Sequence, residues 1–213
     1  MKKRTILRAD LLLAICLGAA SHAFAQSFSS AHWKSSVSIE GGRQRGPGAA
    51  DYEVWLKGGK MRMQTKATGA QMNMLKLGDE MYNWQEGGTA GMKMNLAMAQ
   101  QVGGGSSSDY VTRAEEYRTK GKKVGTETID GHPCEIYDYQ DDARHTKGRY
   151  WLATDLDHFA VKAVIESGGS KTTIHNTDIQ VPASVPDSML EVPRNVQFQD
   201  MSEMMKGMQQ KQG

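Results

Sequence analysis

The stretch "DYEVWLK" (Asp51–Lys57), the pair Gly58-Gly59 and "KMRMQTK" (Lys60–Lys66) together decide the fold. On a strand, residues two apart point to the same side. Met61 and Met63 therefore project together, while Arg62, Gln64 and Lys66 are expected to project oppositely, into solvent. Gly58-Gly59 is a two-residue turn that accepts the positive φ a hairpin demands.

The pattern extends in both directions. Downstream, "QMNMLKL" and "EMYNWQE" are separated by Gly78-Asp79, which predicts a meander of four strands. Upstream, "WKSSVSIE" places Trp33, Val37 and Ile39 on one face and Lys34, Ser36, Ser38 and Glu40 on the other, the period of a half-buried strand. "GGRQRGPGAA" reads as a loop. The strand pattern resumes at Lys122, with "KVGTETI" and "HPCEIYDY" meeting at Asp130-Gly131, then "GRYWLAT", then a hairpin turning at Gly168-Gly169. In its first arm Phe159, Val161, Ala163 and Ile165 are expected to face one way, with Lys162 and Glu166 opposite.

Between the two β-rich stretches, "NLAMAQQ" reads as a short helix and "GGGSSS" from Gly103 as a flexible linker. "SDYVTRAEEYRTKG" has a helix signature: Ser108 or Asp109 as cap, acids in the middle, lysine and glycine at the end. It is short and polar, as a lid is. "VPASVPDSMLEVP" is an extended, proline-marked connection. In "QDMSEMMKGMQQKQG", Met201, Met204, Met205 and Met208 have the spacing of an apolar helical stripe.

The first residues have the order of a secretory signal: Lys2, Lys3, Arg4 and Arg8, then "LLLAICLGAA", then "SHAFA", with cleavage expected after Ala25. Cys16 is preceded by bulky Ile15 rather than the small residue of a lipid-attachment site. The expectation is a soluble periplasmic protein with a signal peptide (1–25), one domain (26–198) and a methionine-rich tail (199–213). Removing four basic residues and Asp10 changes the net charge from +2 to −1. The apparent basicity belongs to the signal, so no nucleic-acid partner is expected. No second long apolar run is present to span a membrane. Cys134 alone remains after cleavage, so no intramolecular disulfide is possible.

The motifs of catalysis do not occur: no Gly-x-Ser-x-Gly, phosphate-cradling glycine loop, His-Glu-x-x-His or Cys-x-x-Cys. Cys134 and His132 are separated by Pro133 in a turn-flanked strand, which favours a structural role for both. Asp141-Asp142 and Glu115-Glu116 read as solvated charges. The chain is therefore expected to be non-enzymatic, with no cofactor and no assigned metal ligand.

Met61/Met63, Met72/Met74 and Met92/Met94 remain to be explained. One reading makes them core side chains, although methionine specifies a rigid core poorly. A second makes them the lining of an adaptable apolar cavity, since unbranched thioethers repack around varied ligands. A third is copper(I), for which thioethers are soft ligands; His132, His145, His158 and His175 show no ligand spacing to assist it.

The succession "GGKMRMQ", "EMYNWQEG", "GTETIDGHPCEIYDY", "GRYWLAT" and "VPDSMLEVP" resembles an uncharacterised exported bacterial family related in architecture to the LolA/LolB lipoprotein carriers. The resemblance implies a mainly β fold with an α lid, an unclosed antiparallel β-barrel or half-barrel covered by short helices. It also implies an apolar cavity for acyl chains. A lipid or other hydrophobic ligand is then the expected cargo, and an envelope lipoprotein or membrane-associated protein a further partner. The candidate lining is Val37, Ile39, Val54, Leu56, Met61, Met63, Met92, Met94, Phe159, Val161 and Ile165, gated by a lid near residues 94 to 118. Two other classes stay open: a methionine-based copper(I)-handling protein, and an envelope-stress protein that holds a partner's segment on the concave sheet.

Overall fold

The computed structural model describes residues 29–41, 49–67, 69–96, 109–142 and 145–201. The segment expected to be a signal peptide, most of the loop after Gly41, residues 97–101 of "NLAMAQQ", the glycine-serine stretch, the expected cap at Ser108 and the chain beyond Met201 lie outside the described residues.

The first meander comprises β1 (Ser30–Gly41), β2 (Ala49–Lys57), β3 (Lys60–Ala67), β4 (Ala70–Leu77), β5 (Glu80–Gln85) and β6 (Ala90–Asn95). Its tight turns are as expected: Gly58 and Gly59 have φ of 56° and 79°. This fixes Lys57 opposite Lys60 and Val54 opposite Met63. Two short helices follow, α1 (Asp109–Thr112) and α2 (Ala114–Lys120). The single helix expected here is broken at Arg113, whose backbone (φ −102°, ψ 12°) leaves the helical region.

The second meander is β7 (Lys122–Ile129), β8 (His132–Asp141), β9 (Thr146–Ala153), β10 (Phe159–Ser167) and β11 (Ser170–Gln180). At the β7–β8 turn Asp130 and Gly131 both take positive φ, 50° and 86°, the geometry that suits a right-twisted two-residue hairpin. β1 lies between β2 and β11 and joins the two meanders into one sheet, in the order β12-β6-β5-β4-β3-β2-β1-β11-β10-β9-β8-β7. The end strands do not pair with each other, so the fold is an unclosed half-barrel. Trp33 of β1 and Phe159 of β10 are separated by β11, yet their ring centroids are 5.1 Å apart, edge to face. Strands two apart lie about 10 Å from one another at ordinary spacing, so inner-face side chains converge across β11.

One edge departs from the antiparallel expectation. β12 (Gln197–Asp200) pairs in parallel with β6, Gln197 opposite Ala90 and Asp200 opposite Lys93. It ends a strap over residues 181–196, the proline-marked connection, which carries a short 3-10 turn at Asp187–Leu190. The strap lies on the outer face. There Val185, Leu190 and Val196 pack with Leu75 and Trp84.

The inner face carries the main core, in which Trp33, Val54, Leu56 and Leu152 pack with Val111, Ala114 and Tyr117 of the helices. A third cluster, on the outer face of β8–β10, holds Cys134, Trp151, Ala153 and Val161.

Candidate functional site

Directly opposed residues of neighbouring strands point to the same face of a sheet. One row of the inner face therefore runs Leu56, Met61, Lys76, Met81, Met94, and the next runs Trp33, Val54, Met63, Met74, Asn83, Met92. Met72 follows in the row of Tyr52 and Thr65. The methionines of β3 to β6 thus form one surface, Met72 and Met74 included. Coverage falls toward the edge: Met61, Met63 and Met81 are buried, Met72, Met74 and Met94 are half-buried, and Met92 is 45% exposed.

Most of the candidate lining lies on this face. Val37, Val54, Leu56, Met61, Met63 and Phe159 belong to the inner core, and Ile39 and Ile165 pack against it. Met92 and Met94 continue its rows on β6. Val161 does not belong. The β9–β10 register shifts between Ala160 and Lys162, and this bulge turns Val161 to the outer cluster with Cys134 and Trp151. The buried Asn176 amide donates to the Ala160 carbonyl beside the bulge at 2.7 Å. A strict two-residue alternation cannot foresee an inserted residue.

The lid packs over the β8–β10 half of the face. Tyr117 stacks on Tyr150 with centroids 3.7 Å apart, and Val111 is 1% exposed. At the break between the helices, the Arg113 guanidinium donates to Glu116 Oε2 at 2.7 Å and to Asp141 Oδ2 of β8 at 3.1 Å. It also lies 5.7 Å from the Tyr117 ring and 5.9 Å from the Tyr139 ring. Glu116 Oε1 accepts from Tyr139 at 2.8 Å and from Lys120 at 3.2 Å. Burial alone would raise the Glu116 carboxyl, but the hydrogen bonds from Arg113, Tyr139 and Lys120 outweigh it and hold it at about 2. Glu116 and Asp141 were expected to be solvated charges. They are instead the two carboxylates of a latch joining lid to sheet. The sequence signal was an arginine inside a helix pattern with an acid three residues on; Asp141, on β8, had no local signal.

Arg62 also departs from expectation. Its side chain is 12% exposed, because the strap covers the outer face. It donates to Asn73 Oδ1 at 2.7 Å, lies 5.2 Å from the Trp84 ring and reaches the Met189 carbonyl at 3.4 Å. A polar recess of about 340 Å³ lies there, between Arg62, Trp84, Glu86 and strap residues 191–196. A second recess, about 600 Å³, opens where the β8–β9 and β10–β11 turns meet the end of β1, and Asp141 of the latch lines it.

Cys134 is buried, its Sγ 3.4 Å from the His132 carbonyl, and burial pushes the thiol up to about 11. It is protonated and covered, the opposite of an activated nucleophile. Among the described residues no group of three or more His, Cys, Asp or Glu could hold a metal ion. No helix among them is long and apolar enough to cross a membrane.

The sequence profile of a domain of unknown function, DUF4412, matches residues 44–183, and the chain belongs to that family. No protein of curated function matches the sequence. Among solved structures, an uncharacterized conserved protein from Thermus thermophilus superposes with a TM-score of 0.52 at 9% identity, over 82% of this chain and 92% of that one. LprF from Mycobacterium bovis is similar with a TM-score of 0.45 at 14% identity, over 77% and 91% of the two chains. The Mycobacterium tuberculosis lipoprotein LppX gives 0.41 at 18% identity, over 75% and 90%. The Thermus thermophilus protein thus shares the fold with little sequence in common.

Proposed function

We propose that this member of the DUF4412 family is a non-enzymatic binding or carrier protein of the bacterial envelope, which holds a lipid, an acyl chain or another hydrophobic ligand on the inner face of its half-barrel. The observation that carries the reading is the methionine-rich surface of β3 to β6, interrupted by Lys76 and Asn83 and half-buried toward β6, beside a short lid tied to the sheet by a polar latch. A core selected for rigidity would use branched side chains at such positions. A surface that must accept changing shapes is better served by thioethers.

Transfer of apolar ligand surface out of water contributes roughly 25 cal/mol per Å², or about 0.8 kcal/mol per methylene before ordering costs. An acyl chain laid along Met74, Met81 and Met94 would extend the apolar core rather than replace it. The lid is held to the sheet by side chains alone, the polar contacts to Asp141 and Tyr139 and the packing of Val111 and Tyr117, whereas each strand is also held by a backbone ladder; the lid is therefore the element proposed to move. The periplasm is the proposed compartment, reached through the signal expected at residues 1–25, and a lipoprotein or membrane-associated protein is the proposed donor or acceptor.

The test is displacement of a fluorescent fatty acid from the purified mature protein. Met74→Asp, at a half-buried position, should weaken binding at least tenfold with little loss of fold; Met61→Asp would instead disrupt the core. Unchanged affinity in Met74→Asp would reject the inner face as the binding surface.

A further inference from the structure

We infer that Met74, Met81, Met92 and Met94 form a binding site for a soft monovalent cation, copper(I) or its redox-inert analogue silver(I). The register of the inner face carries it, and it holds whether or not an acyl ligand also uses Met74, Met81 and Met94.

Spacing along the chain brings thioethers together only in pairs. The hairpin register brings the pairs to each other. Met81 of β5 lies directly opposite Met94 of β6, and Asn83, two residues on, lies opposite both Met92 on β6 and Met74 on β4. Met92 and Met74 are thus the diagonal neighbours of Met81 on its two sides. Direct partners have Cβ atoms about 5 Å apart and diagonal ones about 7 Å, both within reach of long flexible side chains. Four sulfurs can therefore converge above β5, a number that suits a soft d¹⁰ cation.

The surroundings select the class of metal. The inner-face positions of β4, β5 and β6 in these rows are methionine, Asn83 and Lys76, with no carboxylate among them. The carboxylate of β5, Glu80, lies in the row of Leu77 and Asn95 on the other face. Hard divalent cations need oxygen ligands, and zinc favours Cys, His or carboxylate; neither set is present. Thioethers favour copper(I). Lys76, opposite Met81 on the β4 side, repels any cation, a divalent one twice as strongly as a monovalent one at the same distance, while Met92 and Met94 complete the set on the side away from it. Met81 is buried and Met92 is 45% exposed, so the site has a floor and a solvent-facing rim through which an ion can arrive and leave.

The experiment is an anaerobic titration of the mature full-length protein with copper(I) against a chromophoric copper(I) chelator, repeated with silver(I) and with zinc(II). One copper(I) or silver(I) per chain and no zinc(II) is expected. Met81→Leu/Met94→Leu, which preserves volume and apolarity, should weaken copper(I) binding at least tenfold. Met92→Leu, exposed and harmless to the fold, should weaken it several-fold and serves alone if the double variant does not fold. Copper K-edge absorption should show sulfur neighbours only. Copper(I) affinity unchanged in Met81→Leu/Met94→Leu and Met92→Leu, or lost instead in Met204→Leu/Met205→Leu, would overturn the site. Neither result bears on fatty-acid displacement, so this inference and the hydrophobe reading fail separately.

Discussion

Replacing Arg113 by alanine should release the lid without unfolding the sheet. Arg113 neutralises two largely buried carboxylates, Glu116 and Asp141, with side-chain exposures of 10% and 12%. Holding the Glu116 carboxyl at about 2 rather than its ordinary 4.5 corresponds, at 1.36 kcal/mol per pH unit, to about 3 kcal/mol. Removal of one partner from a buried ion pair costs 3–5 kcal/mol by general experience, which is roughly the same size. Hydrogen exchange followed by mass spectrometry is the assay, because it separates local from global opening.

At neutral pH, amides of residues 114–120 should lose about 100-fold protection in Arg113→Ala, while those of β1 and β11 stay close to wild type. The pH dependence has a defined sign. A carboxyl with a depressed folded value contributes its full stability above about 4.5, and that stability is lost as pH falls toward 2. Wild-type lid protection should therefore decline over this window. In Arg113→Ala the buried Glu116 is no longer held down by the guanidinium, so protonation should relieve the variant and narrow its difference from wild type. Equal lid protection in the two proteins, or a loss spread evenly over the sheet, would refute the latch.

Other expectations concern the outer face and the thiol. Gly91→Ala would place a Cβ 2.6 Å from the Phe198 ring and 2.8 Å from the Asn83 carbonyl. It should cost about 2 kcal/mol and lower Tm by roughly 4–8 °C in a thermal melt; an unchanged Tm would show that β12 is not held against β6. Cys134, buried with its thiol pushed up to about 11, should react with a disulfide reagent at pH 8 only after denaturant is added. Rapid labelling of the native protein would contradict its burial.

What could be read from the sequence followed from local chemistry. Gly58-Gly59 and Asp130-Gly131 fix two-residue hairpins, and a hairpin turn carries the register with it. The facing of Val54, Leu56, Met61 and Met63 followed directly. What escaped depended on distant partners or on an inserted residue. Arg62 looked solvent-facing because the Met189 carbonyl that it reaches lies 127 residues away. The latch joins residues 28 apart, Arg113 and Asp141. "QFQD" has no pattern of its own to announce a parallel edge strand, and Val161 left its expected face through a bulge. Met81 was legible in principle, since the turn at Gly78-Asp79 sets it opposite Lys76. Its alternation with Tyr82 and Trp84 hid the fact, because both faces of β5 are apolar.

Whether the inner face holds a hydrophobic molecule is decided by native mass spectrometry of the gently purified protein. A discrete lipid-sized mass increase is expected, removed by solvent extraction and diminished in Met74→Asp. A protein that emerges at its apo mass, and stays there when fatty acids and phospholipids are added, would contradict it.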